Sequence, residues 1–548
     1  MPKANNDRLD CLLISPPIFY EDSENIWKEV NSNFPPLGLA SIGAYARHNG
    51  YSVKIIDCNI VSPSVESFQD FFEKNYAEKY SDIRVIGITS VTCTIKKAYK
   101  IAKICKEIYP DAIIVFGGVH ATFVTDEVIN NNFIDIISLG ESEHTFKEIL
   151  DAKNPLKIDG IVFKKKTKRG YNIIRNKNRD RIVDLDSLPM PAYDLLPIEK
   201  YRPAKGTYKR LPAMSMMTSR GCPGRCTFCS KTMGNRLVFK SAEKIFDEIM
   251  YLIENYGIRQ ILFYDDTFTV YKKNVEKLCD MILENNVDIS WTCFARVDFI
   301  DPDMLSKMKT AGCHQIMYGV ENVDETVLKN INKKINIPQV VNVVRWTKKA
   351  GIECRLSFMV GNPGDNEQII RKNIKFVNKI NPDLLVVNIT TPFPGTAMFK
   401  WAKERNLILT YDWDDYTLAK PVMRLENLSA EQIKDLYKLM YRSFYFRPSF
   451  IIKRLLSIRS LDDASILLGG STALLSFFKP KNKQKSKDTN IRKTKKSDKT
   501  INTSLIYLFA VGTIWTSVSF LTQDNSSLII GSSIMFGSIV SYIRQKLK

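Results

Sequence analysis

The sequence predicts an α/β protein with two parallel-sheet units in tandem, and three observations carry that expectation. Short β-branched runs alternate with segments of helical period over residues 1–150 and again over 211–400. The second unit has six such repeats, fewer than the eight that close a barrel. With 548 residues and a hydrophobic content of 44%, the chain can build two or three cores.

In the first unit the candidate strands are CLLIS (11–15), VKIID (53–57), RVIGITS (84–90), AIIVFGG (112–118) and DIISLG (135–140). This is the pattern of a doubly wound, Rossmann-like domain, whose ligand lies beyond the carboxyl ends of the strands. Those ends read Ser15-Pro16-Pro17, Asp57-Cys58-Asn59, Thr89-Ser90-Val91-Thr92 and Gly117-Gly118-Val119-His120. Small and hydroxyl residues there let a large flat cofactor come close to the backbone. Residues 151–210 read as a connector, because the prolines of DLDSLPMPAYDLLP disfavour long regular elements.

The strands of the second unit are SMMTSR (215–220), QILFYDD (260–266), WTCFARV (291–297), HQIMYGV (314–320), CRLSFMV (354–360) and LLVVNIT (384–390). They specify a partial (β/α)6 barrel with its site at the carboxyl ends. Residues 401–478 are helix-rich, and YRSFYFRPSFIIKRLL (441–456) suits either a membrane surface or a core helix.

The formal charge of +20 points to polyanions, either nucleic acid or an anionic membrane. Residues 479–503 read as a basic disordered linker: from Lys479 to Lys499 ten Lys or Arg face only Asp488 and Asp498, and no aromatic residue offers a platform for bases. Within 504–543, SLIYLFAVGTIWTSVSFL (504–521) and SLIIGSSIMFGSIVSYI (527–543) carry no charge. As helices each would be roughly 26 Å long, enough for a thin hydrocarbon core. Basic residues flank the pair and Asp524 is the one charge in its turn, which predicts a transmembrane hairpin with both ends cytoplasmic. The competing reading is a buried helical hairpin.

Eleven cysteines without a secretory signal fit a reducing cytosol. Three of them, Cys222, Cys226 and Cys229, lie in SRGCPGRCTFCS (219–230), just after the first barrel strand. An odd number of thiols cannot all pair, and the loop holds no fourth Cys or His to complete a structural zinc site. Iron-sulfur clusters favour thiolates, and three cysteines on a four-iron cluster leave one iron open.

The CxxxCxxC spacing after the first strand of a parallel barrel resembles the radical S-adenosylmethionine (SAM) enzymes. The resemblance runs over roughly residues 8–460 through GGVHATF, LGESEHTF, DLDSLPMPAYDLLP, FYDDTFT, ARVDFID, YGVEN, VGNPGDN and TPFPGTAMF. These are similar to landmarks of the radical SAM class with an N-terminal cobalamin-binding domain. That class includes cobalamin-dependent methylases, the anaerobic magnesium-protoporphyrin monomethyl ester cyclase and tetraether-lipid ring synthases.

The resemblance implies a 4Fe-4S cluster on Cys222, Cys226 and Cys229 whose free iron chelates SAM, and reductive cleavage of SAM to a 5'-deoxyadenosyl radical. It places Asp265 and Asp266 at the SAM amino group, Arg296 at its carboxylate, Glu321 at its amino group or ribose, and Gly361 and Gly364 at the adenosine. For each carboxylate a helix N-cap is the competing role. Where many cobalamin domains carry D-x-H-x-x-G, this chain has Asp57-Cys58-Asn59-Ile60-Val61-Ser62. Cobalamin without a histidine on its cobalt is therefore implied, its tail near Ser90, Gly117 and Gly118; the alternative is a domain that has lost the cofactor. His120 is placed near the corrin or caps the next helix, whereas His48, His144 and His314 read as structural.

The expected function is attack on an unactivated carbon of a hydrophobic substrate, a membrane lipid or tetrapyrrole, leading to methylation, cyclisation or carbon-carbon bond formation. A ferredoxin or flavodoxin would supply electrons, and the hairpin would hold the enzyme on the cytoplasmic membrane face. No nucleic acid partner is expected. The alternative is an RNA-binding protein or an RNA-modifying enzyme of the tRNA-methylthiolating kind, against which stands the lack of an RNA-binding module.

Overall fold

The structure, a computed structural model, describes residues 8–18, 32–61, 64–168, 170–204 and 206–456. The first unit is a seven-stranded sheet of order β2-β1-β3-β4-β5-β6-β7. Its strands β1 (Leu9–Ser15), β2 (Val53–Asp57), β3 (Ile83–Thr89), β4 (Ile113–Gly117) and β5 (Ile136–Ser138) are parallel. Both faces of β1 are covered, so Cys11, Leu12, Leu13 and Ile14 are all buried and the strand reads as continuous apolar sequence. The chain reverses its winding between β1 and β3, and that switch point places the ligand crevice at their carboxyl ends.

The connector departs from expectation. Residues β6 (Ile161–Thr167) and β7 (Gly170–Arg175) form an antiparallel hairpin that extends the first sheet beyond β5. The prolines that argued against regular structure lie further on, between 189 and 197, and leave the β-branched residues of 161–175 free to pair.

The barrel sheet holds six parallel strands: β8 (Ala213–Met216), β11 (Gln260–Phe263), β12 (Ser290–Ala295), β13 (Cys313–Glu321), β14 (Glu353–Val360) and β15 (Leu384–Ile389), in spatial order β8-β11-β12-β13-β14-β15. The run SMMTSR is not one strand. It stops at Met216 and resumes as β9 (Ser219–Arg220), which pairs antiparallel with β10 (Val238–Phe239). That short ribbon closes the base of the cysteine loop.

Helix Ala430–Tyr445 covers the open edge at β15. Tyr441 Oη accepts from Val387 N and donates to Val387 O, both at 3.0 Å, and Tyr445 makes the same pair of bonds to Leu385 at 3.1 and 2.6 Å. Two phenols thus replace the strand that a closed barrel would supply. Tyr441 and Phe444 are buried there, so the first half of 441–456 is core, while Ile451 and Ile452 are exposed. A 3-10 turn, Trp413–Asp415, carries Trp413 and Tyr416 into the core of the first unit. The basic linker and both apolar segments of 504–543 lie outside the described residues. Among the described residues no helix is long and apolar enough to cross a membrane.

Candidate functional site

The site begins where β8 ends. Asp265, two residues beyond β11, is fully buried, and its Oδ1 accepts from Thr218 N (2.9 Å), Thr218 Oγ1 (3.1 Å), Ser219 Oγ (2.6 Å) and Ser219 N. Burial outweighs these hydrogen bonds and pushes the carboxyl up to about 6. Asp265 therefore clamps the entry to the cysteine loop, and its Oδ2 is buried without a hydrogen-bond partner.

Several backbone bonds hold the loop that follows. Gly221 has φ +91°, and a Cβ there would stand 2.5 Å from Arg236 O, so the position requires glycine. Thr227 N donates to Ile331 O at 3.0 Å, Met398 N donates to Thr227 O at 2.9 Å, and Asn332 Nδ2 donates to Arg225 O at 2.7 Å. Arg220 donates to Glu141 at 2.8 Å and to Glu143 at 2.6 Å, which ties the loop to the LGESEHTF segment of the first unit.

All three loop cysteines are free thiols: Cys222 is half-buried, Cys226 buried and Cys229 exposed at the residue level. Burial raises the Cys226 thiol, and pushes Cys229 up to about 12 with help from Asp266, Cys226 and Cys222. The three thiols share one braced loop, and a metal is what would exchange for their protons. No three His, Cys, Asp or Glu among the described residues converge on a single ion. An iron-sulfur cluster does not ask for that, because it is held by thiolates spread over separate irons.

Three further predicted residues gather around this loop. Arg296, just past β12, forks Asp298 through Nε and Nη2, both at 2.9 Å. Its Nη1 turns to the loop, 3.1 Å from where a Cβ on Gly224 would be, and that same Cβ would lie 3.3 Å from Cys222 Sγ. Glu321 ends β13 and pairs with Lys333 at 3.2 Å; the following helices are capped by Thr267 and Asp324, so none of Asp265, Asp266 and Glu321 acts as a helix cap. Asp266 stands on the rim, its charge felt at Cys229.

Gly361 and Gly364 adopt φ +94° and +95° on the next loop. Gly361 N donates to Asp365 Oδ2 at 3.0 Å, and Asn322 Nδ2 donates to Asp365 Oδ1 at 2.8 Å, which joins VGNPGDN to YGVEN. Burial pushes Asp365 up to about 7. Gly364 leaves room for Asn330 Nδ2, which a Cβ would meet at 2.7 Å.

The second predicted cluster lies on the first sheet. Ser90 Oγ donates to Gly117 O at 3.1 Å, and Gly118, at φ +89°, passes so close that a Cβ would stand 2.6 Å from Ser90 O. His120 does not reach the open edge. It is 1% exposed beneath Trp413, with ring centroids 5.2 Å apart, and both ring nitrogens are buried without a hydrogen-bond partner. Burial pushes it down to about 4. Asn59, where a cobalt-ligating histidine would be, turns its amide onto Asp57 Oδ1 at 2.8 Å and accepts from Ile18 N at 2.7 Å. Tyr201 Oη donates to the other Asp57 oxygen at 3.0 Å.

With that geometry in place, comparison with known proteins defines the class. Residues 216–377 match the radical SAM superfamily and residues 26–150 match the B12 binding domain. An uncharacterized methyltransferase of Pyrococcus horikoshii is 36% identical over 453 residues, covering 81% of this chain and 94% of the relative. The anaerobic magnesium-protoporphyrin IX monomethyl ester cyclase of Rubrivivax gelatinosus is 25% identical over 437 residues, covering 77% and 76%. The cobalamin-dependent SAM radical enzyme OxsB, solved with aqua-cobalamin and SAM bound, shares the fold at TM-score 0.65 and 17% identity, over 86% of this chain and 72% of that one. The chain belongs to the radical SAM superfamily, as a member with a B12-binding domain. Within that class it is a cobalamin-dependent enzyme of the methyltransferase or cyclase type.

Its cofactors are accordingly a 4Fe-4S cluster, SAM and cobalamin. The residues present fit them. Three free thiols on one braced loop are an iron-sulfur donor set. Beyond the carboxyl ends of β1 and β3, Ile18 and Val91 present exposed apolar side chains that the face of a large flat ring can cover, and Asn59 offers no imidazole.

Sequence reasoning missed Lys333, Glu141, Glu143 and Asp365. The two glutamates stood inside a recognised landmark, but nothing in the sequence linked them to Arg220. For Lys333 there was no signal, since a lysine in NKKIN reads as surface.

Asp265→Ala is expected to leave four loop donors without their acceptor and to cost at least about 3 kcal/mol of stability. Asp265→Asn keeps the accepting oxygen and should melt within a few degrees of the parent. Thermal denaturation of both variants checks the contrast.

Proposed function

We propose that this enzyme modifies an unactivated carbon of a hydrophobic substrate, a membrane lipid or a tetrapyrrole, by methylation, ring closure or carbon-carbon bond formation. The observation that carries the reading is the braced three-thiol loop at the barrel mouth, bordered by Arg296, Glu321 and Asp266. When bound, the cluster with SAM supplies one-electron cleavage of a carbon-sulfur bond, and cobalamin supplies a carrier for a one-carbon group. In this reading Cys222, Cys226 and Cys229 hold the cluster, and Asp266, Arg296, Glu321, Gly361 and Gly364 receive SAM. Asp265 acts by holding the loop rather than by touching ligand. Ser90, Gly117 and Gly118 face the cobalamin tail, and His120 supports them from beneath Trp413.

Membrane lipids are the first substrate class and porphyrin esters the second. The lipid reading rests on the uncharged segments 504–521 and 527–543 with their flanking basic residues, which would tether the barrel to the cytoplasmic membrane face and raise the local concentration of an apolar substrate. The porphyrin reading is supported by relatives named as magnesium-protoporphyrin ester cyclases. A one-electron carrier such as flavodoxin or ferredoxin completes the partners.

Cys226→Ala should abolish the brown absorption and the release of 5'-deoxyadenosine in anaerobically reconstituted protein; an unchanged iron spectrum would refute the ligand assignment. Truncation after residue 478 should move the protein from membrane pellet to supernatant with its cluster intact, which fractionation and iron analysis would read. Mass spectra of lipid extracts from cells with and without the gene should differ by a methyl group or by two hydrogens. Extracts that match while porphyrin esters change would transfer the assignment to the second class.

A further inference from the structure

Alternate residues of each barrel strand face the lumen, and the register sets Phe294 beside Met317, Met317 beside Arg355 and Arg355 beside Leu384 in one layer. Tyr264, just past β11, borders the same cavity as Phe294, Met317 and Arg355. All five side chains are half-buried, whereas the outward-facing Cys293, Ile316, Tyr318 and Leu356 of the same strands are buried. A closed barrel fills its interior with packed side chains; this one stays open at that level. Below the layer, against Thr207, Thr292 and Gln315, the cavity narrows to about 20 Å³, room for a single water. One layer above, Ser357 Oγ donates to Glu321 Oε2 at 3.4 Å, so Arg355 lies deeper in the lumen than the residues assigned to SAM.

Arg355 has no hydrogen bond or ion pair among the described residues. Glu353, two residues earlier on the same face, accepts from Gln315 Nε2 at 3.0 Å, and nearer the cysteine loop Arg296 and Lys333 are matched by Asp298 and Glu321. The Arg355 charge is felt at the phenol of Tyr264, which meets Phe34 and Phe294 edge-on with centroids 4.9 and 5.1 Å away. A guanidinium drawn partly out of water without a counter-charge gives up hydration for no return, and an anion brought in by a ligand removes that cost. We propose that Arg355 binds an oxyanion of the substrate, a carboxylate or a phosphate, while Phe34, Tyr264 and Phe294 hold the apolar body attached to it. The substrate is then an anionic amphiphile whose charged end enters the barrel. This narrows the proposed hydrophobic substrate and rests on that reading: a neutral hydrocarbon or a fully esterified ring would leave Arg355 unmatched.

The test is binding to anaerobically reconstituted full-length protein, after its iron has been measured, of dodecanoate and dodecyl phosphate against dodecanol, and of protoporphyrin IX against its dimethyl ester. At least one anion should bind on the order of ten- to a hundredfold tighter than its neutral counterpart, and Arg355→Gln should abolish that preference while binding the neutral probe and SAM as the parent does. Which anion is preferred separates carboxylate from phosphate and lipid from tetrapyrrole. Arg355→Lys keeps the charge and should keep most of the preference. A parent that favours no anion, a Gln variant that retains the preference, a Lys variant as indifferent as the Gln variant, or weakened SAM binding by Arg355→Gln would each overturn the proposal. Iron missing from the parent protein would instead strike the cysteine assignment, so the two failures are distinguishable.

Discussion

Four hydrogen bonds into one buried carboxylate oxygen decide where the first barrel strand stops. Thr218 and Ser219 could continue the parallel ladder of β8, but Asp265 takes both their amides and both their hydroxyls. In a buried setting those groups have no water to fall back on, so the strand ends where the carboxylate is. The chain then turns into the β9 and β10 ribbon, and the three cysteines project from its loop. Everything proposed for the site depends on this interruption.

Around the loop three cations have acidic partners: Arg220 with Glu141 and Glu143, Arg296 with Asp298, Lys333 with Glu321. These pairs are weak sources of stability because they are partly or fully desolvated. Their effect is to surround thiols that must become anionic with charge held in defined places. Burial alone opposes that ionisation, as the raised Cys226 and Cys229 show. The site is therefore arranged for a cation-bearing cofactor rather than for bare thiolates.

The first unit is joined to the barrel through contacts distant in sequence. Tyr201 closes on Asp57, Trp413 covers His120 and donates to Glu127 at 2.9 Å, and Phe34 meets Tyr264 edge-on with centroids 4.9 Å apart. The Asn59 amide completes the Asp57 network that a histidine would leave for a metal. Asparagine at residue 59 thus goes with a closed hydrogen-bond arrangement at that strand end, while the apolar residues Ile18 and Val91 remain exposed.

The strands, their parallel order and the cysteine spacing were legible in the sequence, because period and spacing are local properties of the chain. So was the absence of a histidine at residue 59. The β6 and β7 hairpin was hidden by prolines that lie outside it, and the break in SMMTSR was hidden because its cause, Asp265, is 46 residues away from Ser219. Tertiary structure alone turned Asp265 from a candidate ligand into a clamp, placed His120 under Trp413, and buried Lys333 against Glu321. Such roles depend on which side chains meet after folding and on how much water they lose, and neither quantity is written in the order of neighbouring residues.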